Sequence, residues 1–465
     1  MRHTLALLLG LARLAALADA HTIFTTLYIN DISQGDGTCV RMSQSPSTCT
    51  NPVNGIKSKD MACGADGQEP VAFTCPAPAG AKLTFQWRLW ANGEQPGVID
   101  ESHKGPCAVY AKQLDDMKKR SAAGPGWFKL WDEGYDEEAG LWCTEKLMQA
   151  DGLLSVRIPA GLPAGNWLFR PELLALQNAH EGDPQFYVGC AQVFVESAAP
   201  PLTLSVPADK SVSIPGHVAA GDPGLTFNIY SDELKLPYPV PGPAIFVPPS
   251  SSSSSVSAVA DNKKAPSSVT RQRSGGVPAD YLIKNANWVG VEVAAYSTEA
   301  GCWAAAEDCW AQADTCYDTA PPSGNRNCRV WERKCRGIND ACEAGDYRDG
   351  PPARGVRLVS EEPGAPARIP AAVNGGQDKQ GREGKEEEEH EDKESGGRGR
   401  GGGDRVSEAA PPPAPASTET GDLPDWGGVG GDDGPVIITV TEIVTAPAAT
   451  QTSYGRRARR GLRSR

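Results

Sequence analysis

His21 is the residue of this 465-residue chain whose type and position point most directly to chemistry. It follows Ala18-Asp19-Ala20, the small-x-small end of a segment that starts with basic residues and continues through a short apolar run. That order is typical of a secretory signal peptide, so we expect residues 1–20 to be removed and the protein to be extracellular. Cleavage after Ala20 leaves His21 with a free α-amine beside its own imidazole, and one residue then offers two nitrogen ligands.

Two nitrogens in one residue favour copper, which leads the divalent affinity order and accepts a tetragonal, nitrogen-rich site. A second imidazole would complete a set of three nitrogens. Between His21 and residue 247, the mature chain holds three further histidines: His103, His180 and His217. The residues alone leave open which of the three lies beside His21, and whether a histidine follows the cleavage site by chance.

The elements that must position these ligands have the pattern of short strands. Apolar and polar residues alternate at residues 83–89, 154–158, 187–195 and 225–230, with Gly, Pro and Asp between the runs. His103 lies in a loop before a further strand-like run at 107–110. Many short strands separated by turns predict an all-β, antiparallel β-sandwich domain over residues 21–247.

Composition divides the rest of the chain into three parts. Residues 248–276 are rich in Ser and Pro and are predicted to form an extended linker. Residues 277–345 are predicted to form a small disulfide-rich module, and residues 346–465 a low-complexity, mostly disordered tail. The six cysteines of the module are Cys302, Cys309, Cys316, Cys328, Cys335 and Cys342. They lack the close pairs of a zinc site.

Four tryptophans of the module are candidate sugar platforms: Trp288, Trp303, Trp310 and Trp331. Tryptophans in a small disulfide-rich module more often form its core, and the sequence leaves both interpretations open.

The formal net charge of −13 argues against a nucleic-acid partner, because phosphate binding requires clustered Lys and Arg. After the signal peptide, no apolar run is long enough to span a membrane. An acidic secreted protein of this composition suits a neutral partner such as a glycan.

Several segments between residues 21 and 247 together resemble the fungal lytic polysaccharide monooxygenases of auxiliary activity family 9. They are the mature start HTIF, SHKGPCAVYAKQLDD around His103, GWFKLWDEGYD from Gly126, NWLFRPELLAL from Asn166, QFYVGCAQVFV from Gln185 and YPVPGP from Tyr238. Their order and separation make the resemblance far more specific than any one motif.

The resemblance implies an immunoglobulin-like or fibronectin-type β-sandwich that binds one copper ion. It implies that His21 and His103 hold the copper as a histidine brace and that Tyr187 supplies a distant axial oxygen. Gln185 would complete the catalytic set as a hydrogen-bond donor where oxygen binds.

The reaction implied by the resemblance is oxidative cleavage of β-1,4-glucans, such as cellulose and related plant cell-wall glucans, at C1 and/or C4. The implied partners are the glucan, oxygen or hydrogen peroxide, and an external electron donor. That donor would be a small reductant or an enzyme resembling cellobiose dehydrogenase. We expect the protein to be a monomer.

One position departs from the family pattern. The family usually carries a histidine directly after RPELLAL, and Gln177 stands there in this sequence. His180 follows three residues later. Three alternatives stay open: His180 reaches the site, the Gln177 amide donates in place of the histidine, or the activity is weakened.

A substrate contact and a disulfide set complete what the resemblance implies. Tyr238 is expected to lie exposed beside the copper and to stack on a sugar ring, although a packed loop is an equal alternative. The resemblance pairs Cys63 with Cys190. Weaker expectations pair Cys39 with Cys75 and Cys107 with Cys143, which leaves Cys49 over.

Two other functions compete with that of a monooxygenase. A glycoside hydrolase would need two carboxylates flanking the bond, for which Glu172 and Asp183 are available without a paired pattern. A non-catalytic copper- or glycan-binding protein of the same fold is the second alternative, because Gln177 replaces the usual histidine.

Overall fold

The computed structural model describes residues 21–119, 122–198, 206–247 and 269–374. The predicted signal peptide, the serine tract at 250–255 and the chain beyond residue 374 lie outside these ranges. Within them, no helix combines the length and apolar character needed to cross a membrane.

The described residues form seventeen strands and three α-helices. The strands are β1 (Ile23–Ile29), β2 (Ile32–Asp36), β3 (Val40–Arg41), β4 (Cys75–Pro78), β5 (Lys82–Arg88), β6 (Cys107–Leu114), β7 (Gly124–Glu133), β8 (Tyr135–Asp136), β9 (Leu141–Trp142), β10 (Leu153–Arg157), β11 (Gly165–Ala175), β12 (Gln185–Val188), β13 (Cys190–Ala198), β14 (Val212–Ile214), β15 (Val269–Thr270), β16 (Ile283–Asn285) and β17 (Trp288–Gly290). The helices are α1 (Cys143–Gln149), α2 (Glu299–Thr319) and α3 (Arg326–Glu343).

Two sheets form a β-sandwich. The smaller has the strand order β10-β5-β1-β2. The larger follows β14-β7-β6-β11-β13-β15, with β12 paired to β11 and with β3 and β4 paired to β13. The pairs are antiparallel except β4 with β13. The predicted sandwich, followed by a small disulfide-rich module, is confirmed.

The main core lies between the two sheets. Phe24 and Phe85 of the smaller sheet meet edge to face, with ring centroids 5.4 Å apart, and Trp167 and Phe169 of the larger sheet belong to the same buried cluster. A second core covers the outer face of the larger sheet, where residues 206–247 pack over β6, β7 and β11. The central strands of the larger sheet are therefore buried on both faces.

Four of the five predicted strands are present and one prediction is wrong. Strands occupy residues 83–88, 107–114, 154–157 and 187–195, the last interrupted at Gly189. Residues 225–230, predicted to be a strand, instead follow a 3₁₀ turn at Pro223–Leu225 and continue as irregular chain. Leu225 and Phe227 alternate with exposed residues because they pack into the second core. A loop can therefore show the same alternation of buried and exposed side chains as a strand.

The six-cysteine module is a helical hairpin. Its three disulfides join α2 to α3 as Cys302–Cys342, Cys309–Cys335 and Cys316–Cys328, so no thiolate of the module is left for zinc. Trp288 and Trp331 are buried in the module core, edge to face, with ring centroids 5.8 Å apart.

The module docks on the sandwich through the turn between β16 and β17. The Asn287 side chain accepts a hydrogen bond from the backbone N–H of Cys39 at 3.1 Å and donates to the carbonyl oxygen of Gly37 at 2.7 Å. The Thr38 hydroxyl donates to the carbonyl oxygen of Ala286 at 3.0 Å. These contacts hold the module against the turn that follows β2.

Parts of the predicted linker and tail pair with the edges of the sandwich. Residues 269–270, at the end of the predicted linker, form β15 on β13. The C-terminal strap, which we define as residues 351–374, reaches β10, where the Val373 N–H donates to the carbonyl oxygen of Ser155 at 2.9 Å. Asn374 accepts from the N–H of Arg157 and donates to its carbonyl oxygen. These segments were expected to be an extended linker and a disordered tail. They pair instead with the sandwich because its edge strands offer unpaired backbone groups.

Candidate metal centre

Three strand ends of the larger sheet meet at one end of the sandwich. In the antiparallel register, Leu173 of β11 stands opposite both Cys107, the first residue of β6, and Tyr187 of β12. The loop before β6, which carries His103, and the loop after β11, which carries Gln177, therefore leave the sheet at the same end.

Gly105 allows these two loops to run side by side. The N–H of Leu174 donates to the carbonyl oxygen of Pro106 at 3.0 Å, and the N–H of Leu176 donates to that of Lys104 at 2.9 Å. A Cβ atom at Gly105 would clash with the carbonyl oxygen of Leu174. This close approach of two backbones requires glycine.

The rings of His21 and His103 both lie near the ring of Tyr187. The ring centroid of Tyr187 is 6.3 Å from that of His21 and 6.0 Å from that of His103. His103 and Tyr187 are buried and His21 is half-buried. The structure thus brings together, from three distant parts of the sequence, the side chains that the resemblance implies as ligands.

Two glutamine amides link this group by hydrogen bonds. Gln185 Oε1 accepts from the Tyr187 hydroxyl at 2.9 Å and from Gln177 Nε2 at 2.8 Å. Gln177 Nε2 also lies 3.3 Å from Nε2 of His103. Burial, with the negative charge of Asp183, raises the pKa of Tyr187 well above its ordinary value, so its hydroxyl stays protonated and donates.

Ser102 and Asp100 fix the His103 ring from the other side, and no sequence signal pointed to them. The Ser102 hydroxyl lies 3.1 Å from His103 Nδ1 and donates to Asp100 Oδ1 at 2.6 Å. Burial lowers the pKa of His103, against the opposing charge of Asp100. A neutral imidazole is the form that binds a metal.

The other two histidines lie elsewhere. His180 is on the surface, where its ring packs edge-on against Tyr230 with centroids 5.7 Å apart. His217 is buried, with Nε2 3.9 Å from Glu172 Oε2 and its ring against that of Tyr110. Of the residues expected to replace the usual histidine, the structure therefore places Gln177 beside His103.

The expectation that Tyr238 is exposed is wrong. Its side chain is 7% exposed, and its ring packs edge to face on Trp142 and Phe227 at 4.9 and 5.1 Å. Its hydroxyl donates to the carbonyl oxygen of Gly224 at 2.8 Å. The ring is buried because it packs into the second core, so it does not present a face on which a sugar could stack.

The carboxylates considered for a hydrolase do not form a catalytic pair. Glu172 is buried in an ion pair with Arg170 at 2.6 Å. Although burial favours the neutral form, the charge of Arg170 prevails and lowers the pKa of Glu172 to about 2. A carboxyl group that stays ionised at neutral pH has no proton to give and cannot act as a general acid. Asp183 is exposed on a loop and accepts a hydrogen bond from Gln185.

Three disulfides lie in the sandwich domain: Cys39–Cys75, Cys63–Cys190 and Cys107–Cys143. The Cys63–Cys190 bridge lies three residues after Tyr187 and ties the start of β13 to the loop at residues 61–64. Cys49 has a free, half-buried thiol, and burial raises its pKa.

A groove of about 550 Å³ adjoins His21, lined by residues 51–56 and 182–185 together with Ala220 and Leu225. The site therefore opens to the surface beside His21.

The donor set fits copper. Two imidazoles and a phenol oxygen provide the borderline ligands that Cu(II) accepts, and cleavage after Ala20 would add an amine. Across the described ranges, no group of three or more His, Cys, Asp or Glu side chains is placed to hold a metal. A brace of two histidines with the terminal amine does not require such a group.

In comparison with known proteins, residues 21–238 match the model of Auxiliary Activity family 9, formerly GH61. The chain is 47% identical over 353 residues to the AA9 family lytic polysaccharide monooxygenase C of Aspergillus tamarii, covering 75% of this chain and 91% of that protein. It is 49% identical over 340 residues to the AA9 family lytic polysaccharide monooxygenase H of Botryotinia fuckeliana, covering 72% and 76%. A solved structure titled CvAA9A matches 49% of this chain and 98% of its own at 30% identity and a TM-score of 0.43.

Proposed function

The chain belongs to auxiliary activity family 9, and on this premise we propose that it is a secreted, copper-dependent lytic polysaccharide monooxygenase. Its proposed substrates are β-1,4-glucans, with cellulose first among them, cleaved oxidatively at C1 and/or C4. Its proposed co-substrates are oxygen or hydrogen peroxide and an external electron donor. We place the catalytic domain in residues 21–247 and take the active form to be a monomer.

His21 and His103 would hold the copper through their imidazoles, with the α-amine of His21 as the third nitrogen. The phenol oxygen of Tyr187 would complete the set of donors. Bound copper would supply one-electron transfer between the reductant and the oxygen co-substrate, and so the oxidising power to break a C–H bond beside the glycosidic linkage.

The two glutamines have positioning roles in this proposal. Gln185 holds the Tyr187 hydroxyl at 2.9 Å, so that the phenol is kept protonated and fixed in direction. Gln177 directs its amide nitrogen toward both Gln185 and His103. An amide that donates at this place would orient the ligands and favour binding of an oxygen co-substrate.

The observation that carries the proposal is the convergence of His21, His103 and Tyr187 at one end of the sandwich. The test is to incubate the secreted, copper-loaded protein with amorphous cellulose, ascorbate and limiting peroxide, and to analyse soluble products by mass spectrometry. Aldonic acids or C4-ketoaldoses that vanish in His103→Ala are the expected result.

Tight copper binding by a chain that begins at His21, without oxidised products from any β-1,4-glucan, would contradict the proposed reaction. That outcome would favour the non-catalytic copper- or glycan-binding protein that Gln177 leaves open. Products that form in strong chelator and without reductant would instead indicate a hydrolase.

A further inference from the structure

Three aromatic side chains recur at seven-residue intervals along α2 of the cysteine-rich module. They are Trp303, Trp310 and Tyr317. Trp303 is 41% exposed and Tyr317 is 36% exposed, while Trp310 is half-buried between them. Trp310 also packs against the module core, which contains Trp288 and Trp331, whereas the outer rings Trp303 and Tyr317 are exposed.

The disulfides fix the direction in which the stripe faces. Each of its residues directly follows a cysteine that is bridged to α3, at positions 302, 309 and 316. Because seven residues fall only about 20° short of two full turns, the three rings stay on one side of the helix. Thr315 and Thr319, about 160° away around the helix from Tyr317, line a groove against the sandwich. The stripe therefore faces away from the sandwich.

The spacing of the stripe matches an extended sugar polymer. Seven residues of α-helix rise about 10.5 Å. In a β-1,4-linked chain, each sugar is turned over relative to the last, so the same ring face recurs at every second residue. The two-residue repeat of such a chain is close to the helical spacing, and three rings in line could each meet an equivalent sugar face.

Polar groups of α3 lie beside the stripe. Trp310 Nε1 donates to Asn339 Oδ1 at 3.3 Å, and the Tyr317 hydroxyl donates to Glu332 Oε2 at 2.8 Å. Arg336 pairs with Glu332 at 2.6 Å. These contacts restrain two of the rings and place an amide, a carboxylate and a guanidinium where sugar hydroxyls would need partners.

The charge of α2 selects a neutral partner. The helix carries five acidic side chains and no basic one: Glu299, Glu307, Asp308, Asp314 and Asp318. The neighbouring helix α3 carries five basic and three acidic side chains, so the hairpin as a whole keeps more acidic than basic groups and disfavours nucleic acids, anionic lipids and acidic polysaccharides. A neutral glycan, whose hydroxyls donate hydrogen bonds to carboxylates, is complementary.

We propose that the stripe of Trp303, Trp310 and Tyr317 binds one extended β-1,4-glucan chain, with an aromatic ring under every second sugar. This is a second contact with the polymer, on a module that contains none of the proposed copper ligands, and it rests on the proposed function only for the choice of polymer.

The test is a depletion isotherm of the full-length protein on microcrystalline cellulose, without reductant so that no oxidation occurs. The Trp303→Ala/Tyr317→Ala variant should bind with a Kd about tenfold higher than the unaltered protein. The Trp303→Phe/Tyr317→Phe variant keeps both rings and should bind nearly as the unaltered protein does. Trp90→Ala, which removes a tryptophan that is 45% exposed on the sandwich, is the matched control and should not change the Kd.

An unchanged Kd in the alanine variant, or an equal loss in Trp90→Ala, would overturn the proposal. So would equal retention on granular starch, whose α-1,4 linkage does not repeat in this way. Should the alanine variant lose its module disulfides, the phenylalanine variant decides, because weakened binding with both rings present contradicts the stripe. Oxidised products from a protein whose retention does not depend on the stripe would overturn this inference alone. Retention that depends on the stripe, without oxidised products, would overturn the proposed monooxygenase activity alone.

Discussion

Removal of the Cys63–Cys190 disulfide should lower the free energy of unfolding by roughly 4 to 5 kcal/mol. The double variant Cys63→Ala/Cys190→Ala avoids leaving a new free thiol. This bridge anchors the chain immediately after Tyr187, so its loss tests how far one covalent link holds the proposed metal centre in place.

The magnitude follows from the loop that the bridge closes in the unfolded chain. Its two cysteines are 127 residues apart, but Cys107–Cys143 lies inside that span and shortens it by 36, leaving about 91 residues. In the chain-entropy relation, closing a loop of that length corresponds to roughly 4.6 kcal/mol at 25 °C.

The assay is equilibrium unfolding in urea, without a thiol reductant, followed by tryptophan fluorescence. Cys49→Ala is the matched control, since it makes the same chemical change at a cysteine that forms no bridge. Its unfolding free energy should differ from that of the unaltered protein by less than about 0.5 kcal/mol. A loss below about 1 kcal/mol in the double variant would refute the reasoning from loop closure.

Three further predictions concern single side chains. Gln177→Ala should reduce the rate of glucan oxidation about tenfold with copper affinity nearly kept, because positioning donors affect turnover more than metal binding; an unaltered rate would contradict its assignment. Burial beside Asp36 raises the pKa of Glu362 from 4.5 to about 7, so this group's contribution to stability falls as pH rises through that interval. In Glu362→Gln, the free energy of unfolding should therefore decrease between pH 5 and pH 8 by up to about 3 kcal/mol less than in the unaltered protein, as measured by urea unfolding at the two pH values. Tyr238→Phe should cost about 1 kcal/mol of stability through the lost bond to Gly224, without weakening binding to cellulose; weaker binding would show that the ring is a substrate contact.

The parts of the fold that the sequence predicts are those that depend on local alternation. The runs at 83–89 and 154–158 became strands because their side chains meet a core on one face or both. The run at 225–230 has the same pattern, yet its apolar residues reach the second core from an irregular loop. Alternation reports which residues are buried, and it does not report whether the backbone between them is paired.

The predictions for the site depended on segments that were recognised together, and the failures came from contacts between distant residues. Tyr238 lies in a proline-rich motif that suggested exposure, but its burial depends on Trp142, almost one hundred residues earlier. The docking of the module depends on a single turn asparagine, Asn287, and nothing in its neighbourhood distinguishes it from any other turn residue. Ser102 likewise carries no signal in the sequence, since its role exists only once His103 is folded beside it.

The docked module and the C-terminal strap have a consequence for proteolysis. A cut within the serine tract at 250–255 would break the covalent path between the sandwich and the helical hairpin. The two would stay together, because Asn287 holds the hairpin to the turn after β2 and Asn374 holds the strap to β10. A nicked molecule should therefore migrate as one species until it is denatured, and should separate into two fragments only then. A cut in the serine tract would thus leave the aromatic stripe attached to the proposed metal centre.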